Sequence, residues 1–207
     1  MTARLLLATR SDGKLRELLP LAAAAGYEAV HLAMLDLPES AEERALEQFD
    51  TFAENALAKA HYFLARTGLP TIADDSGLCV RALGERPGVR SKRFSGRDDL
   101  SGLALDAANS AALQQAVAGV ADRSASYRCA AAFATWDWAT VAEGRCTGRI
   151  VDTPRGTGGF GYDPWFVSDD LGCTFAEASI EAKEAVSHRG RAMRALFERL
   201  AEHGARR

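Results

Sequence analysis

The sequence predicts an α/β protein built on a long central mixed sheet flanked by helices. Three observations carry that expectation. Leu5-Leu6-Leu7-Ala8 is a continuous apolar run of the kind found in strands covered on both faces. Helical periodicities with one apolar face are interleaved with strand-like runs. The block from Tyr127 to Val151 reads as consecutive strands, so the order βαα-β-α-βββ-α favours a mixed sheet over a purely alternating one.

Each element has its own signal. The first strand stops at Thr9-Arg10-Ser11-Asp12-Gly13-Lys14, and Leu15, Leu18, Leu19, Ala22 and Ala23 then share a helical face. Pro20 lies inside that pattern and predicts a kink or a delayed start. An acidic loop from Pro38 to Asp50 carries Glu39, Glu42, Glu43 and Glu47. Thr51-Phe52-Ala53-Glu54 forms a capping box for a second helix whose face is Ala56, Ala60, Phe63 and Leu64, and Gly68 ends it. Pro70-Thr71-Ile72-Ala73 predicts a strand that ends in Asp74-Asp75 and turns at Ser76-Gly77. Leu100 to Val117 predicts a third helix, Tyr127–Thr135 and Ala139–Val151 two or three strands, and Gly156 to Gly161 a glycine loop. A last helix starts at Ser187, with Met193, Leu196, Phe197 and Leu200 on one face.

The chain has 207 residues, enough for one α/β domain or two intimately joined lobes, and 1–207 is read as a single domain. At 47% hydrophobic it can bury a full core. Lys plus Arg total 25 against 28 Asp plus Glu, so the net charge of −3 argues against nucleic acid as a partner but leaves room for a locally basic pocket. Cys79, Cys129, Cys146 and Cys173 are far apart with no zinc-type or redox-type spacing, as in a reduced cytosolic chain. The apolar run after Met1-Thr2-Ala3-Arg4 is too short for a signal peptide, and none approaches the ~20 residues that span a bilayer. The expectation is a soluble cytoplasmic protein with no membrane partner.

Ala73-Asp74-Asp75-Ser76-Gly77 is the most informative stretch. Side chains alternate across a strand, so Asp74 and Asp75 point in opposite directions and need different jobs. On the pentapeptide alone, a turn or helix cap and a magnesium site both stay open. Thr9 to Lys14 offers a hydroxyl, helix-start N–H groups, Gly13 and Lys14, which suits an anion, although an ordinary strand-to-helix turn has the same look. It lacks P-loop spacing. A carboxylate of the acidic loop is a candidate partner for Asp75 on magnesium, against a solvated charge run. The glycine loop continues as Tyr162-Asp163-Pro164-Trp165. Its glycines allow close approach, and Phe160, Tyr162 and Trp165 offer flat surfaces for a base, against a hairpin turn with core aromatics. Lys183 is followed by Ser187-His188-Arg189; with Ser187 as the cap of the last helix, His188 and Arg189 lie in its first turn, where the dipole opposes cations, so an anionic or carbonyl-bearing ligand is the better account. Lys92 and Arg93 form another basic pair. A solvated basic face is the alternative for all of these.

These motifs resemble the inosine triphosphate/xanthosine triphosphate pyrophosphatases, the Ham1-like family. The resemblance rests on Leu7-Ala8-Thr9-Arg10-Ser11-Asp12-Gly13-Lys14, Thr51-Phe52-Ala53-Glu54-Asn55-Ala56, Ala73-Asp74-Asp75-Ser76-Gly77-Leu78, Pro87-Gly88-Val89, Phe94-Ser95-Gly96, Gly158-Gly159-Phe160-Gly161-Tyr162-Asp163-Pro164 and Ser187-His188-Arg189-Gly190, in family order over nearly the whole chain. It implies an elongated two-lobed fold with an active-site cleft between the lobes, and a homodimer. It implies a Mg2+-dependent enzyme that hydrolyses ITP, dITP and XTP to the monophosphate and pyrophosphate, cleansing the nucleotide pool. Carried onto this chain, the resemblance makes Thr9, Arg10, Ser11, Asp12, Gly13 and Lys14 phosphate contacts and Asp75 the catalytic carboxylate and a metal ligand. Ser76 and Lys92 become substrate contacts. Phe160, Gly161, Tyr162 and Asp163 seat the base, with Lys183, His188 and Arg189 around it. Glu47 is the second metal carboxylate, with Glu43 as an alternative. The chain departs from the family pattern at Ser11, where Asn is usual, at Gln48-Phe49, which replace Thr-Gly, and at Glu85, where a second glycine often follows Gly84.

Overall fold

The computed structural model describes residues 3–204, without the side chains of Ala3 and Arg44; Met1 and Thr2, on which the signal-peptide expectation partly rests, lie outside them. Seven strands form one mixed sheet in the order β2 (Tyr27–His31), β1 (Ala3–Leu7), β3 (Thr71–Val80), β5 (Ser124–Ala134), β6 (Ala139–Ile150), β7 (Phe166–Ser168), with β4 (Arg86–Pro87) paired to β3. β1 runs parallel to both neighbours, Leu5 opposite Ala29 on one side and Leu6 opposite Thr71 on the other. The helices are α1 (Asp12–Ala24), α2 (Ala41–Arg44), α3 (Phe52–Thr67), α4 (Gly102–Val117), α5 (Ile180–Val186) and α6 (His188–Gly204). Among the described residues no helix is long and apolar enough to cross a membrane.

The chain divides into two compact units, each made of discontinuous segments. Among the described residues, the first contains 3–75, Cys129–Gly144 and 189–204; the second contains Ser76–Arg128 and Arg145–His188. Alternation along the strands builds the core of the first unit. Leu5, Leu7, Ile72, Cys129, Ala131 and Phe133 pack with Leu18 and Leu21 of α1 and Met193, Leu196 and Leu200 of α6. Their strand neighbours Leu6, Ala8, Ala73, Ala130 and Ala132 pack on the other face with Ala56, Ala60, Phe63 and Leu64 of α3. The second unit closes around Leu78, Val80, Leu113, Val117, Tyr127, Ile150, Phe166 and Phe175.

Several expectations need correction. β3 does not stop at the aspartates; it continues to Val80. The Ser76-Gly77 pair that resembles a turn is strand interior. A Cβ on Gly77 would lie 2.2 Å from the Gly88 carbonyl oxygen and 2.4 Å from Ser91 Oγ, so glycine is there for close backbone approach. Ser91 Oγ accepts from Leu78 N at 2.9 Å and donates to the Gly88 carbonyl at 2.7 Å, holding that crossing together. Pro20 does not delay α1, because Ser11 caps it by accepting from Lys14 N at 3.3 Å and Leu15 N already bonds Ser11 O at 2.9 Å. β2, β4 and α5 are absent from the expected order, and the third strand of the expected block, β7, lies beyond Val151: the three strands are short, five, two and three residues, and their apolar pattern is too brief to read. The acidic loop contains a single helical turn, α2, closed by a Ser40–Glu43 capping box. At α3 the box is only half as expected. Thr51 Oγ1 accepts from Glu54 N at 3.2 Å, but the Glu54 carboxylate accepts from the Thr51 hydroxyl at 2.6 Å instead of its backbone N–H.

Glu85 sits at φ +66, in the left-handed region where a side chain is strained, and its carboxylate pairs with Arg128. A partly exposed ion pair contributes little, so it offsets the strain only in part. Glu85→Ala keeps the strain and loses the pair, whereas Glu85→Gly loses both; Glu85→Gly should therefore be the more stable of the two by about 1 kcal/mol in urea unfolding.

Candidate active site

The alternation that sorts the core also sorts the two aspartates. Asp74 lies on the face of Ile72, toward α1 and α6; Asp75 lies on the face of Ala73, toward α3. Both are buried, at 1% and 5% exposure. Asp74 Oδ2 receives Lys14 Nζ of α1 at 3.0 Å and Arg189 Nε of α6 at 3.0 Å. Arg189 continues to Glu17, so a chain of opposite charges crosses from α1 through β3 to α6 and back. Burial alone would raise the Asp74 pKa, but Lys14, Arg189 and Lys59 outweigh it and hold the carboxyl well below its ordinary value.

Asp75 is in the opposite state. Burial raises its pKa first; Lys14 and Lys59 pull it down, Glu47 pushes it up, and a hydrogen bond from Asn55 Nδ2 at 2.9 Å favours the charged form. The net direction is upward. Lys59 was not among the residues expected from the sequence. Its ammonium pairs with Glu47 and donates to the Asp74 carbonyl at 3.0 Å. Burial works to lower its pKa, but the charges of Glu47, Asp74 and Asp75 prevail and keep it raised. The signal was present in the sequence: Lys59 lies one turn beyond Asn55 on α3, near the start that faces Asp75.

The acidic segment resolves into two roles. Glu43 accepts from Arg10 Nε at 2.6 Å and Nη2 at 2.8 Å, while Arg10 Nη1 bonds the Leu37 carbonyl at 3.0 Å. Glu43 is thereby engaged at the rim, and Glu47 is the glutamate whose charge reaches Asp75. Arg10, expected on phosphate, ties the segment from Leu37 to Glu43 to the loop after β1. Thr9 Oγ1 accepts from Ser11 N at 3.2 Å, and Asp12, Gly13 and Lys14 form the first turn of α1. Ser11 in place of Asn still does the capping, which serine does as well as asparagine. Carboxylate oxygens from Asp75 and Glu47 are the donor chemistry that magnesium takes, with water and phosphate oxygens completing its shell, and two like charges brought together are what a cation offsets. Among the described residues no larger group of three or more His, Cys, Asp or Glu could hold a metal.

In the second unit another buried carboxylate organises the glycine loop. Asp163 Oδ2 accepts from Phe160 N at 2.8 Å and from the buried Lys183 ammonium at 2.6 Å. Lys183 Nζ stands 5.0 Å from the Phe160 ring centroid. Gly159, at φ +69, passes so close that a Cβ would lie 2.1 Å from Asp163 Oδ2. Gly161 N donates to Asp106 at 3.1 Å, and the Tyr162 hydroxyl donates to Ser91 O at 2.8 Å. Tyr162 and Asp163 thus hold the loop, leaving Phe160 as its half-buried ring. His188 is buried and stacked on Tyr127 at 4.6 Å. Ser76 is half-buried, and Lys92 is exposed at the end of the 3-10 segment Gly88–Arg93. Arg189, expected beside the base, is 2% exposed and bonded to Asp74 and Glu17 in the first unit, so its geometry is that of a brace.

Residues 5–199 match the family model described as Ham1 family. The chain belongs to the Ham1 family. It is 47% identical over 203 residues to a dITP/XTP pyrophosphatase of Burkholderia pseudomallei, covering 97% of this chain and 94% of that one. A protein of the same name from Aromatoleum aromaticum is 45% identical, with 97% and 98% covered. Among solved structures, the Ham1 protein of Staphylococcus aureus superposes with a TM-score of 0.81 at 31% identity, covering 97% of this chain and 99% of that one. One from Coxiella burnetii gives 0.81 at 34% identity, with the same coverage. The mixed α/β fold expected from the sequence is that of these proteins.

The contrast between the two aspartates has a measurable consequence. Asp74→Asn should cost about 3 kcal/mol at pH 7, because Lys14 and Arg189 lose a buried partner. The Asp74 contribution is present above the ordinary carboxylate pKa and is lost only as pH falls through its depressed folded value, so variant and wild type should converge only in strong acid. Asp75 has the opposite sign: a raised folded pKa means that its charge opposes folding at pH 7. Metal-free Asp75→Asn should then be at least as stable as wild type. Urea unfolding by circular dichroism across pH checks both.

Proposed function

We propose that this chain is a Mg2+-dependent nucleoside-triphosphate diphosphatase. It converts dITP, XTP and ITP to the monophosphate and pyrophosphate and so removes non-standard purines from the nucleotide pool. The observation that carries the reading is the cluster around Asp75: a buried carboxylate of raised pKa, with Glu47 beside it and Lys14 and Lys59 supplying positive charge. The names of its relatives support the substrate class.

Asp75 and Glu47 would hold magnesium, which when bound would supply charge neutralisation and make a water easier to deprotonate. The protein's own part is positioning and charge. Lys14, Lys59 and the N–H groups at the start of α1 balance the triphosphate. Water oxygen attacks the α-phosphorus, the bond to the bridging oxygen breaks, and pyrophosphate leaves. Asp75 takes the water's proton at its carboxylate. On the base side, Phe160 offers a stacking face, and His188 and Lys183 carry donors suited to a 6-oxo group. A 6-amino group would leave such donors unpaired, which in a closed site discriminates on the order of a hundredfold or more. Cytoplasmic location and a homodimer belong to this reading as well, and light scattering on the purified protein tests the dimer.

Asp75→Asn should fold and lose nearly all turnover; near-normal pyrophosphate release from that variant would defeat the assignment. Across a panel of nucleotides, release from dITP should exceed that from dATP, whose purine carries a 6-amino group, by about a hundredfold. Equal rates would remove the specificity claim.

A further inference from the structure

Asn55 is a polar side chain with no exposed surface, placed in the first turns of α3, where asparagine is a poor helix former. A buried amide is tolerated only when its groups are matched. Here they are matched in a particular way. Asn55 Oδ1 accepts from Phe49 N at 3.0 Å, and Nδ2 donates to Phe49 O at 3.2 Å and to Asp75 Oδ2 at 2.9 Å. The first two bonds grip both backbone groups of one residue, as a strand neighbour would. The third reaches the carboxylate of β3. Phe49 is two residues from Glu47, and it stands in the Gln48-Phe49 pair that departs from the family pattern. Phe49 is 43% exposed while its backbone is held, so the grip is on the main chain and indifferent to which residue supplies it.

We propose that Asn55 is a positioning residue that clips the Glu47-bearing segment to the Asp75 carboxylate, so that both carboxylates are presented to one divalent cation. The inference rests on the metal-dependent reading above and adds a residue that touches neither metal nor substrate. It accounts for how the segment is held: the acidic loop is fixed at one end by Arg10 on Glu43 and at the other by Asn55 on Phe49, with Glu47 between them. It also accounts for a helix carrying asparagine at a position where alanine or leucine would favour the helix more.

The test is Asn55→Ala, with three readouts. Amide exchange at Phe49, followed by NMR, should speed up by about tenfold or more. Mn2+ affinity of the nucleotide-free protein, read from the electron paramagnetic resonance signal of free Mn2+, should weaken by about tenfold or more, as when a residue that orients a metal ligand is lost. With Mg2+ and dITP, kcat should fall by a similar factor while KM stays within about threefold, since contacts to the nucleotide are untouched. A variant of lower Tm that keeps wild-type Mn2+ affinity and kcat would reduce Asn55 to a structural amide and overturn the proposal. If Asn55→Ala does not fold, Asn55→Ser, which shortens the clip but keeps a donor, takes the same measurements. The wild type alone also decides: a Phe49 amide that exchanges as freely as an exposed one means there is no clip. A wild type that neither binds Mn2+ nor turns over dITP overturns the functional reading and this inference with it. An active wild type with an unaffected Asn55→Ala overturns the inference alone.

Discussion

Two carboxylates on adjacent residues of a strand buried on both faces must point into different layers of the protein, and most of the first unit follows from that constraint. Asp74 goes to the layer of α1 and α6, where it meets Lys14 and Arg189. Asp75 goes to the layer of α3, where it meets Asn55. A shift of one residue in the register of β3 would exchange the two and leave each opposite the wrong helix. The parallel pairing of β1 with β3, and the continuous apolar runs that bury both, hold the register in place.

Burial makes charge expensive, and the two aspartates respond in opposite ways. Asp74 is surrounded by more positive charge than its own burial can offset, so it stays ionised and works as an anchor for α1 and α6. Asp75 shares its cations with Glu47 and is left less stabilised as an anion. An ionised anchor and a carboxyl of raised pKa thus come from the same residue type, separated by one peptide bond and distinguished by the side of the sheet on which each falls. The second unit repeats the anchoring device with Asp163, which fixes Lys183 and the amide of Phe160 and so shapes a loop whose glycines have no side chains to shape it.

Changed positions are accommodated locally. Ser11 retains the cap of α1, Glu85 accepts a left-handed backbone and finds Arg128, and Phe49 is held by its main chain. In each case the residue present supplies a hydrogen bond or adopts a backbone conformation that other residue types can also supply.

Much was legible from the residues in order. Apolar runs and helical faces located β1, α3, α4 and α6, because burial imposes a period that neighbouring residues display. The opposed directions of Asp74 and Asp75 followed from strand geometry once a strand was assigned. The short strands β2 and β7 were not legible, since five and three residues are too few to show a period. Nor was the extent of β3, because Ser76-Gly77 carries the composition of a turn and only the approach of Gly88 and Ser91 explains the glycine. Local sequence determined which residues are acidic, basic or flat, and which of them share a face. The tertiary structure decided their partners: Glu47 rather than Glu43 beside Asp75, Lys59 and Asn55 added to the cluster, and Arg189 on Asp74. Arg189 and Asp74 are 115 residues apart, and a charge's role depends on what burial brings beside it, which spacing along the chain does not encode.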